Sequence, residues 1–328
     1  MFNNQIILVT GGTGSWGYEL VRQLLTYNPK EIRIFSRNES NQFTMKQEFD
    51  NNSKLSFVIG DIKERDSLIE ACQDVDYVFH LAALKHVPVC EDQPLEALKT
   101  NVTGTQNVID AAIICNVNRV IYISTDKAAN PSNFYGLSKA MGERLIIHAN
   151  TINTKTRFVC IRGGNVLGTN GSVIHVFKKH IQEKGKVGIT DLNMTRFFLT
   201  LEDAIKLVFK ATFESLGGEI FVMKMPTCKI VDLAHVLIEA SNKEEVEIET
   251  LGIRPGEKIH ELLLSEYEST TTIAYDDEYF VILPPIHIEG LKEHYSKFNP
   301  VDLVNYNSSK GLMSKEEIRE MLKKGRFI

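Results

Sequence analysis

The sequence predicts an α/β protein, with a doubly wound parallel sheet and a smaller α/β lobe in the C-terminal part of the chain. Short apolar runs alternate with longer segments of helical periodicity, and the first apolar run leads directly into a glycine-rich turn. Nearly continuous apolar strands separated by helices are typical of a parallel sheet that helices cover on both faces. The glycine-rich turn then marks the first junction between a strand and a helix.

The individual elements follow from this alternation. The apolar runs predicted as strands are residues 6–9, 32–35, 55–59, 75–81, 120–124, 158–161 and 219–223. Helical periodicity predicts helices over residues 17–25, 65–72, 94–115, 135–149, 173–183, 201–214, 231–240 and 314–324. The last helix is expected to start at a Ser-x-x-Glu capping box formed by Ser314 and Glu317.

The looser pattern after Arg162 indicates a second lobe. At 328 residues the chain exceeds the usual size of one domain. We expect the large domain to comprise residues 1–165 and about 195–225. The smaller lobe is expected to comprise about 166–194 together with 226–328.

The composition argues against several classes of partner. The formal net charge is -5, from 42 acidic and 37 basic residues without a basic block, so neither nucleic acid nor an anionic membrane surface is expected as the main partner. No stretch reaches the roughly 18 apolar residues of a membrane span, and the N-terminus lacks the basic start of a signal peptide. The five cysteines show no paired metal-ligand spacing, and several are expected as buried thiols. We therefore expect a cytoplasmic protein without a metal site.

The turn after the first strand has the pattern of a dinucleotide-binding loop. Glycine lets the backbone approach a pyrophosphate closely while the following helix points its N-terminus at the phosphates. A glycine-rich turn alone is common, but its place between the first strand and a helix favours a nucleotide-binding Rossmann domain. The candidate cofactor residues of this turn are Gly11, Thr13, Gly14, Ser15, Trp16 and Gly17.

The preference between NAD and NADP is set at the end of the second strand. NAD sites usually place an acid there for the ribose 2′-hydroxyl, whereas an arginine accommodates a 2′-phosphate. The position holds Ser36 and Arg37, which favours NADP; in the alternative, Arg37 is an ordinary loop cation and Glu39 binds the ribose. Further cofactor contacts are expected after the third and fourth strands, from Asp61, Ile62, Leu81 and Ala82.

A tyrosine and a lysine four residues apart indicate the chemistry. Tyr135 and Lys139 lie one turn apart on one face of a predicted helix. There the ammonium can lower the pKa of the phenol and let it take a proton from a hydroxyl, which permits hydride transfer. Asp126 and Lys127 supply a further acid and base that a plain alcohol oxidation does not need. In the alternative, Asp126 caps a turn and Lys127 is a solvated loop charge; the downstream tyrosine and lysine favour the functional interpretation.

These segments resemble the extended short-chain dehydrogenase/reductase family across most of the chain. The resemblance rests on the glycine-rich turn, His80-Leu81-Ala82-Ala83, Asn101, and Tyr135 with Lys139. Four segments resemble, more narrowly, the soluble UDP-N-acetylglucosamine 4,6-dehydratases of bacterial nucleotide-sugar pathways, of the polysaccharide biosynthesis type. They are residues 82–88, 124–131, 194–197 and 254–258. The resemblance implies an NADP-dependent lyase that returns its hydride within one turnover.

The resemblance also implies roles for the central residues. Tyr135 takes the proton of the sugar's 4-hydroxyl as hydride leaves C4, and the ketone formed at C4 acidifies the proton on C5. Asp126 then protonates the departing 6-hydroxyl, and Lys127 removes the C5 proton. Related enzymes that act on nucleotide-linked glucose have an Asp-Glu pair at this place. A lysine base must instead become neutral, which requires desolvation and nearby cations to lower its pKa.

Substrate contacts are expected from several segments. The resemblance implies that Lys85 touches both cofactor and substrate, and that Thr125 and Asn165 touch the substrate. Arg254 and Glu257 are candidates for the UDP group, since an arginine fork fits a pyrophosphate and a carboxylate accepts from a ribose hydroxyl.

Three further positions are open. Arg196 either helps to bind UDP or covers apolar surface beside Phe197 and Phe198. His86 is either a cleft residue or a packed loop histidine. Relatives usually carry tyrosine where this chain has Gly163, which leaves the shape of the local pocket open.

The predicted function is NADP-dependent 4,6-dehydration of UDP-N-acetylglucosamine to a 4-keto-6-deoxy sugar, with inversion at C5 favoured by the absence of a membrane anchor. A C5-retaining enzyme, a variant that releases the 5,6-ene and a UDP-sugar 4-epimerase are the alternatives of the same kind; the epimerase has no use for Asp126 and Lys127 as acid and base. A catalytically silent NADP sensor is the alternative from another class. The resemblance also implies a homo-oligomer, formed through the helices at 94–115 and 135–149.

Overall fold

The computed structural model describes residues 1–152, 155–169, 171–243 and 245–328. Its strands are β1 (Ile6–Thr10), β2 (Glu31–Ser36), β3 (Leu55–Ile59), β4 (Tyr77–His80), β5 (Arg119–Thr125), β6 (Arg157–Gly163), β7 (Asn165–Val166), β8 (Lys186–Ile189), β9 (Thr195–Leu199), β10 (Ile220–Met223), β11 (Thr227–Lys229), β12 (Glu247–Thr250), β13 (Leu262–Leu264), β14 (Thr272–Ala274), β15 (Tyr279–Ile282) and β16 (Tyr306–Asn307). Its α-helices are α1 (Ser15–Leu25), α2 (Glu39–Glu48), α3 (Arg65–Ala71), α4 (Val87–Asp92), α5 (Pro94–Leu98), α6 (Gly104–Ile114), α7 (Phe134–Ile152), α8 (Val173–Lys184), α9 (Leu201–Glu214), α10 (Ile230–Ala240), α11 (Glu266–Ser269), α12 (Leu291–Tyr295) and α13 (Lys315–Lys324).

A nine-stranded sheet organises the molecule, in the order β14-β15-β10-β6-β5-β4-β1-β2-β3. The strands from β10 through β3 in that order are parallel to their neighbours, whereas β15 and β14 pair antiparallel at one edge. Strand β1 pairs with β2 on one side and β4 on the other, and all five of its side chains are buried. This burial explains why the strand is apolar throughout rather than alternating. The predicted doubly wound parallel sheet is confirmed.

The predicted elements are present with ends that differ by a few residues, and the capping box at the start of α13 is confirmed. Ser314 Oγ accepts a hydrogen bond from the Glu317 backbone N–H at 3.2 Å, and Glu317 Oε2 accepts from the Ser314 backbone N–H at 2.7 Å. The burial pattern of α13 follows its periodicity, because Ile318 and Leu322 are fully buried.

The helix predicted over residues 94–115 contains an interruption. A π-helical turn at Lys99–Thr103 separates α5 from α6. The turn brings the Asn101 amide to the loop after β4, where it accepts from the Leu84 N–H at 2.8 Å and donates to the Leu84 carbonyl at 2.9 Å. A π-turn inserts an extra residue into a helix and is frequent at functional sites.

Helices α2, α4, α11 and α12 were not predicted. Helix α2 is mostly polar, so its sequence shows little apolar periodicity. Its start is fixed by Asn38, whose side chain accepts from the Asn41 N–H at 2.9 Å. The buried Gln42 attaches the helix to the sheet by donating to the Val58 carbonyl at 2.8 Å. Helix α4 is a short segment of six residues that begins with Val87-Pro88.

Two hydrophobic clusters divide the interior. The larger one surrounds the nine-stranded sheet. The smaller one lies between α8, α10 and α13, with Phe177, Leu233 and Ile318 at its centre. Residues 166–194, assigned to the smaller lobe, supply much of this second cluster.

The predicted division of the chain needs one correction. Residues 226–328 were all assigned to the smaller lobe, but β14 and β15 lie in the nine-stranded sheet. Strand β15 pairs with β10, in the register Ile220 to Ile282. Its four residues are all buried, so this segment has the apolar character of a core strand.

None of the helices in the described ranges is long and apolar enough to cross a membrane.

Candidate active site

A cavity of about 800 Å³ opens at the carboxyl ends of the parallel strands β1 to β5. Ligands of open α/β sheets bind at this edge, where the strand order reverses. Here the reversal falls at β1, between β4 and β2. The cavity wall contains every predicted cofactor residue except Gly17.

The glycine-rich turn has the geometry that a pyrophosphate needs. Gly11 has φ +69°, and a Cβ there would lie 2.8 Å from the Ala82 Cα. Gly17 acts differently, because a Cβ at this position would overlap the Gly12 carbonyl and push α1 away from the turn. Ser15 and Trp16, the first residues of α1, line the cavity. An anionic diphosphate therefore fits between the turn and the helix N-terminus.

Charged side chains cluster around Asp61 at one end of the cavity. Arg37 Nη1 lies 3.7 Å and Lys63 Nζ 3.6 Å from Asp61 Oδ2, and Lys63 Nζ also lies 3.3 Å from Glu96 Oε2. The Arg37 side chain is 58% exposed and able to reorient toward a ligand. The Ser36 hydroxyl accepts from Gln42 Nε2 at 3.0 Å, which holds it at the end of β2.

The loop after β4 brings Lys85 and His86 to the cavity. Both residues line it, and burial lowers the pKa of Lys85. The hydrogen bonds of Asn101 to Leu84 hold the loop beside α7, because Asn101 Nδ2 also donates to Ser138 Oγ at 2.9 Å. Of the two interpretations of His86, the structure favours a residue of the cleft.

The turn that follows β5 brings Asp126 and Lys127 together. Asp126 is 1% exposed, and its Oδ1 accepts from the Thr125 hydroxyl at 2.9 Å and from Lys127 Nζ at 2.9 Å. Asp126 Oδ2 is buried and has no hydrogen-bond partner in the described part of the chain. Lys127 and Thr125 line the cavity, whereas Asp126 lies behind them. The ammonium is therefore the member of the pair that faces a ligand.

Tyr135 and Lys139 reach the cavity from the first turns of α7. Helix α7 is capped by Asn133, whose Oδ1 accepts from the Gly136 N–H at 2.8 Å. A Cβ at Gly136 would overlap the Lys127 carbonyl, so glycine lets α7 approach the turn Asp126–Ala128 closely. This turn is called the catalytic turn below. Lys139 Nζ donates to the Ile123 carbonyl at 2.7 Å and lies 3.8 Å from the centre of the Tyr122 ring.

Lys139 was expected to lower the pKa of Tyr135, but it is not among the groups that chiefly shift this pKa. Burial raises the pKa of Tyr135 to about 12, against the opposing effects of the Lys127 charge and a hydrogen bond with Thr125. Burial also lowers the pKa of Lys139 to about 7. Lys139 Nζ donates its hydrogen bond to the Ile123 carbonyl, and burial of the side chain is what disfavours its charged form.

The charge state of Lys127 also differs from the prediction. Burial acts to lower the pKa of Lys127, but the nearby carboxylates of Asp126 and Glu261 raise it above its ordinary value. Glu261 Oε1 lies 3.3 Å from Lys127 Nζ. The protein's own residues therefore hold Lys127 as an ammonium, although the predicted base has to be neutral.

The segment 254–261 docks against the catalytic turn. The Gly256 carbonyl accepts from Ser132 Oγ at 3.0 Å and from Asn133 Nδ2 at 2.9 Å. Lys258 Nζ donates to the Ala129 carbonyl at 3.3 Å and to the Asn130 carbonyl. Two motifs more than a hundred residues apart in sequence thus form one surface.

The three residues expected to bind UDP lie outside the cavity wall. Arg196 is buried; its Nη1 donates to the Thr195 carbonyl at 2.7 Å and to the Ile259 carbonyl at 3.1 Å, which ties the docking segment to β9. Arg196 Nη2 lies 3.5 Å from Glu257 Oε1. Arg254 is exposed at the turn that Gly256 closes with φ +74°. Their role in binding UDP stays a prediction.

The structure shows what occupies the space beside Gly163. A Cβ there would lie 3.1 Å from Met223 Sδ and 3.8 Å from Met225 Sδ, in the interior of the protein. Gly164 and Asn165, which follow, line the cavity. The methionines therefore occupy the space beside residue 163, and the glycine does not widen the cavity.

A buried ion pair supports the catalytic turn from behind. Arg162 donates from Nε and Nη2 to the two oxygens of Glu143, at 2.9 and 2.6 Å. Arg162 also contacts Glu268 at 2.8 Å, and the Ser124 hydroxyl donates to Glu143 Oε1 at 2.6 Å. One network thus connects β5, β6, α7 and α11.

Two residues of the site were missed by sequence reasoning. Lys63 joins the charged cluster around Asp61, and its signal was its place two residues after Asp61. Glu261 pairs with Lys127 and lies three residues after the segment 254–258, but a single glutamate there carries no distinctive pattern. No group of three or more His, Cys, Asp or Glu side chains is arranged for a metal ion among the described residues.

Fold and site together define a member of the extended short-chain dehydrogenase/reductase class. The chain belongs to the family described as polysaccharide biosynthesis protein, which it matches over residues 7–283. The predicted family and the prediction of an enzyme are confirmed.

Known proteins resemble the chain over most of its length. A Campylobacter jejuni protein named UDP-N-acetylglucosamine 4,6-dehydratase (inverting) is 45% identical over 90% of this chain and 88% of its own. A Methanocaldococcus jannaschii protein described as an uncharacterized membrane protein is 43% identical, over 100% of this chain and 98% of its own. A Rickettsia bellii protein named UDP-glucose 4-epimerase is 39% identical over 98% of this chain and 96% of its own. The X-ray structure of Pen from Bacillus thuringiensis has a TM-score of 0.91 at 40% identity, covering 98% of this chain and 99% of that one.

Proposed function

We propose that the protein catalyses the NADP-dependent 4,6-dehydration of UDP-N-acetylglucosamine, with inversion at C5, for nucleotide-sugar and surface glycan synthesis. The observation that carries the proposal is the Asp126–Lys127 pair, with its ammonium facing the cavity beside Tyr135. The name and identity of the Campylobacter jejuni relative support the substrate and the stereochemistry.

The first step uses Tyr135. Its phenol takes the proton of the sugar's 4-hydroxyl while hydride leaves C4, which makes a ketone at C4. A bound nicotinamide cofactor supplies the hydride acceptor and, when oxidised, a positive charge that lowers the pKa of the phenol. Thr125, which hydrogen-bonds the phenol, orients it.

The second step eliminates water across C5 and C6. The C4 ketone acidifies the C5 proton, which Lys127 removes as a neutral amine. Asp126 supplies the proton that leaves with the 6-hydroxyl. Because Asp126 lies behind Lys127, this proton reaches the leaving group past the lysine side chain. Hydride added at C6 and a proton returned to C5 complete the 4-keto-6-deoxy product.

The Asp126–Lys127 contact supplies both forms that elimination needs. Transfer of one proton from Lys127 Nζ to Asp126 Oδ1, across 2.9 Å, produces a neutral amine and a carboxylic acid together. The site gains or loses no net charge in this transfer. Desolvation by a bound substrate favours the neutral pair, since burial penalises charged forms.

Arg37 supports NADP over NAD. It lines the cavity with a side chain that is 58% exposed, so its guanidinium can turn toward a 2′-phosphate. Glu39, the alternative ribose ligand, is the exposed first residue of α2 and does not line the cavity.

We also propose a homo-oligomer, with α7 at its interface. Leu137 and Met141 lie four residues apart on α7, and both are nearly half exposed. An exposed pair of this kind on one face of a helix is typical of helix packing between subunits. Multi-angle light scattering checks the expected mass of two or more chains, and a monomer contradicts this part of the proposal.

A UDP-sugar 4-epimerase is the second candidate, because one relative carries that kind of name. An epimerase uses Tyr135 and Lys139 but returns hydride to C4, and it needs no acid and base at Asp126 and Lys127. The proton-transfer contact between these two residues therefore favours the dehydratase.

Incubation with UDP-N-acetylglucosamine and NADP in deuterium oxide tests the proposal. Mass and proton spectra should show a product that has lost one water, with deuterium at C5 and couplings of the inverted sugar. Retained couplings would indicate the C5-retaining reaction, and an olefinic signal the released ene. A product of unchanged mass that is epimerised at C4, or unchanged substrate, would contradict dehydration.

A further inference from the structure

Glu261 is a buried carboxylate beside Lys127 that the proposed reaction does not yet use. It is 2% exposed and immediately precedes β13. Ser308 fixes its backbone on both sides: the Glu261 N–H donates to Ser308 Oγ at 2.9 Å, and the Ser308 N–H donates to the Glu261 carbonyl at 2.9 Å. The direction of the Glu261 side chain is therefore set by the pairing of β13 with β16.

Two of the cations near Glu261 share one of its oxygens. Oε1 lies 3.3 Å from Lys127 Nζ and 3.6 Å from Arg196 Nε. Oε2 is buried and has no hydrogen-bond partner within the described residues. A buried carboxylate oxygen without a hydrogen-bond partner lowers the stability of the folded state, so its presence needs an explanation. Its contact with the cavity-facing ammonium provides one.

The charged and titratable groups around Lys127 come from four places. They are Asp126 on its own turn, Tyr135 on α7, Arg196 on β9, and Lys258 and Glu261 before β13. Two carboxylates stabilise the ammonium; burial and the positive charges act against it. Asp126 must take part in the reaction as an acid, so Glu261 is the carboxylate left to hold the lysine.

We propose that Glu261 is a positioning residue for Lys127: its carboxylate holds the ammonium against Asp126 and sets the pH at which Lys127 releases its proton. The proposal rests on the proposed function, in which Lys127 is the base. Arg196 supports the arrangement by binding the same oxygen of Glu261 and the Ile259 carbonyl of the same segment.

The sign of the effect follows from the charges. Glu261→Gln keeps the shape of the side chain but removes one of the two negative charges beside Lys127. Burial and Arg196 then act against Asp126 alone, so Lys127 loses its proton at lower pH. An opposite charge at this separation shifts a titration by about one to three pH units.

Competitive acetylation measures this titration without substrate or turnover. The full-length protein and Glu261→Gln are treated with trace acetic anhydride across a pH series, and mass spectrometry of the peptide that contains Lys127 gives its reactivity at each pH. Lys127 is accessible to the reagent because it lines the cavity. The midpoint for Lys127 should fall by about one to three pH units in Glu261→Gln.

Two variants accompany the test. Glu266→Gln makes the same change five residues later, at an exposed position, and should leave the Lys127 midpoint unchanged. Glu261→Asp shortens the side chain by one methylene, which moves the carboxylate away from Lys127. It should shift the midpoint in the same direction but less. It also keeps the proposal testable if Glu261→Gln does not fold. An unshifted midpoint in the folded Glu261 variants would overturn the proposal.

Turnover provides the second readout. The acidic limb of the pH profile of kcat should move to lower pH in Glu261→Gln, whereas a merely structural role lowers kcat equally at every pH. A wild-type protein that does not dehydrate UDP-N-acetylglucosamine refutes the proposed function, whatever the acetylation shows. A dehydrating wild type with unshifted midpoints in the variants refutes the role of Glu261 alone.

Discussion

Lys127 is held as a cation by its surroundings, while the proposed elimination uses it as a neutral amine. The contact with Asp126 reconciles the two, since moving one proton across 2.9 Å produces the acid and the base together. A glutamate at position 127 would form no such neutral pair, because two ionised carboxylates have no proton to transfer between them. The lysine therefore changes how the acid and the base are prepared.

Removal of the Lys127 side chain should separate dehydration from cofactor binding. In Lys127→Ala we expect the dehydration rate to fall by at least about 10²- to 10⁴-fold, the usual contribution of a general base. NADP affinity, measured by calorimetry, should change little. Lys99→Ala, at an exposed lysine, is the control. Full activity in Lys127→Ala would refute its assignment as the base.

Arg37 should decide the preference for NADP. In Arg37→Ala we expect the Kd for NADP to rise about ten- to hundredfold, as for the loss of a hydrogen bond to a charged group. The Kd for NAD, measured by calorimetry on the same variant, is the control and should stay nearly constant. Equal changes for both cofactors would show that Arg37 does not contact a 2′-phosphate.

The sequence predicted those residues of the site that belong to short local motifs. The glycine-rich turn and the Tyr135–Lys139 pair are both recognisable within a few residues. Glu261 was missed because its importance depends on a contact with Lys127, which the fold brings within 3.3 Å across a long stretch of sequence. The charge of Lys127 differs from the expectation because two carboxylates raise its pKa: the adjacent Asp126 and the distant Glu261.

Helix α7 and strand β6 are joined to α11 by the buried Arg162 with its two glutamates. Arg162 is 1% exposed and binds Glu143 through two hydrogen bonds. Because Glu143 also accepts from Ser124, the network fixes the end of β5, from which the catalytic turn begins. The position of the turn thus depends on Arg162, Glu143 and Glu268, three side chains that do not line the cavity.

Loss of Arg162 should destabilise the whole fold. Arg162→Met leaves the buried carboxylate of Glu143 and the partly buried one of Glu268 without a counter-charge, and we expect the free energy of unfolding to fall by about 3–5 kcal/mol. Arg65→Met removes an exposed pair with Asp110 and should cost about 1 kcal/mol or less. Denaturant unfolding measures both variants. Equal losses would show that the buried network contributes no more than a surface pair.

Apolar periodicity predicted the long elements, because burial on one face determines both the pattern and the packing. It did not reveal the π-helical turn at Lys99–Thr103, which places Asn101 for its long-range hydrogen bonds with Leu84. It also missed α2, which has a polar surface and is held by its cap and by Gln42. Contacts between distant segments produce no periodicity in the sequence.

The active site depends on how the large sheet and the C-terminal part of the chain meet. The sheet supplies the cavity, the glycine-rich turn and the catalytic turn after β5. The later segment 254–261 adds Glu261 and docks onto residues 129–133 through backbone contacts. The whole molecule is therefore needed to set the charge of Lys127, and the large sheet alone does not form the proposed site.

The central claim is that one hydride leaves C4 and returns to C6 of the same sugar, with loss of water between the two events. UDP-N-acetylglucosamine carrying deuterium at C4 tests it most directly, with the product analysed by deuterium and proton spectra. We expect the deuterium at C6 of a product that has lost one water. Deuterium retained at C4 of a product with unchanged mass, or lost to solvent, would contradict the claim.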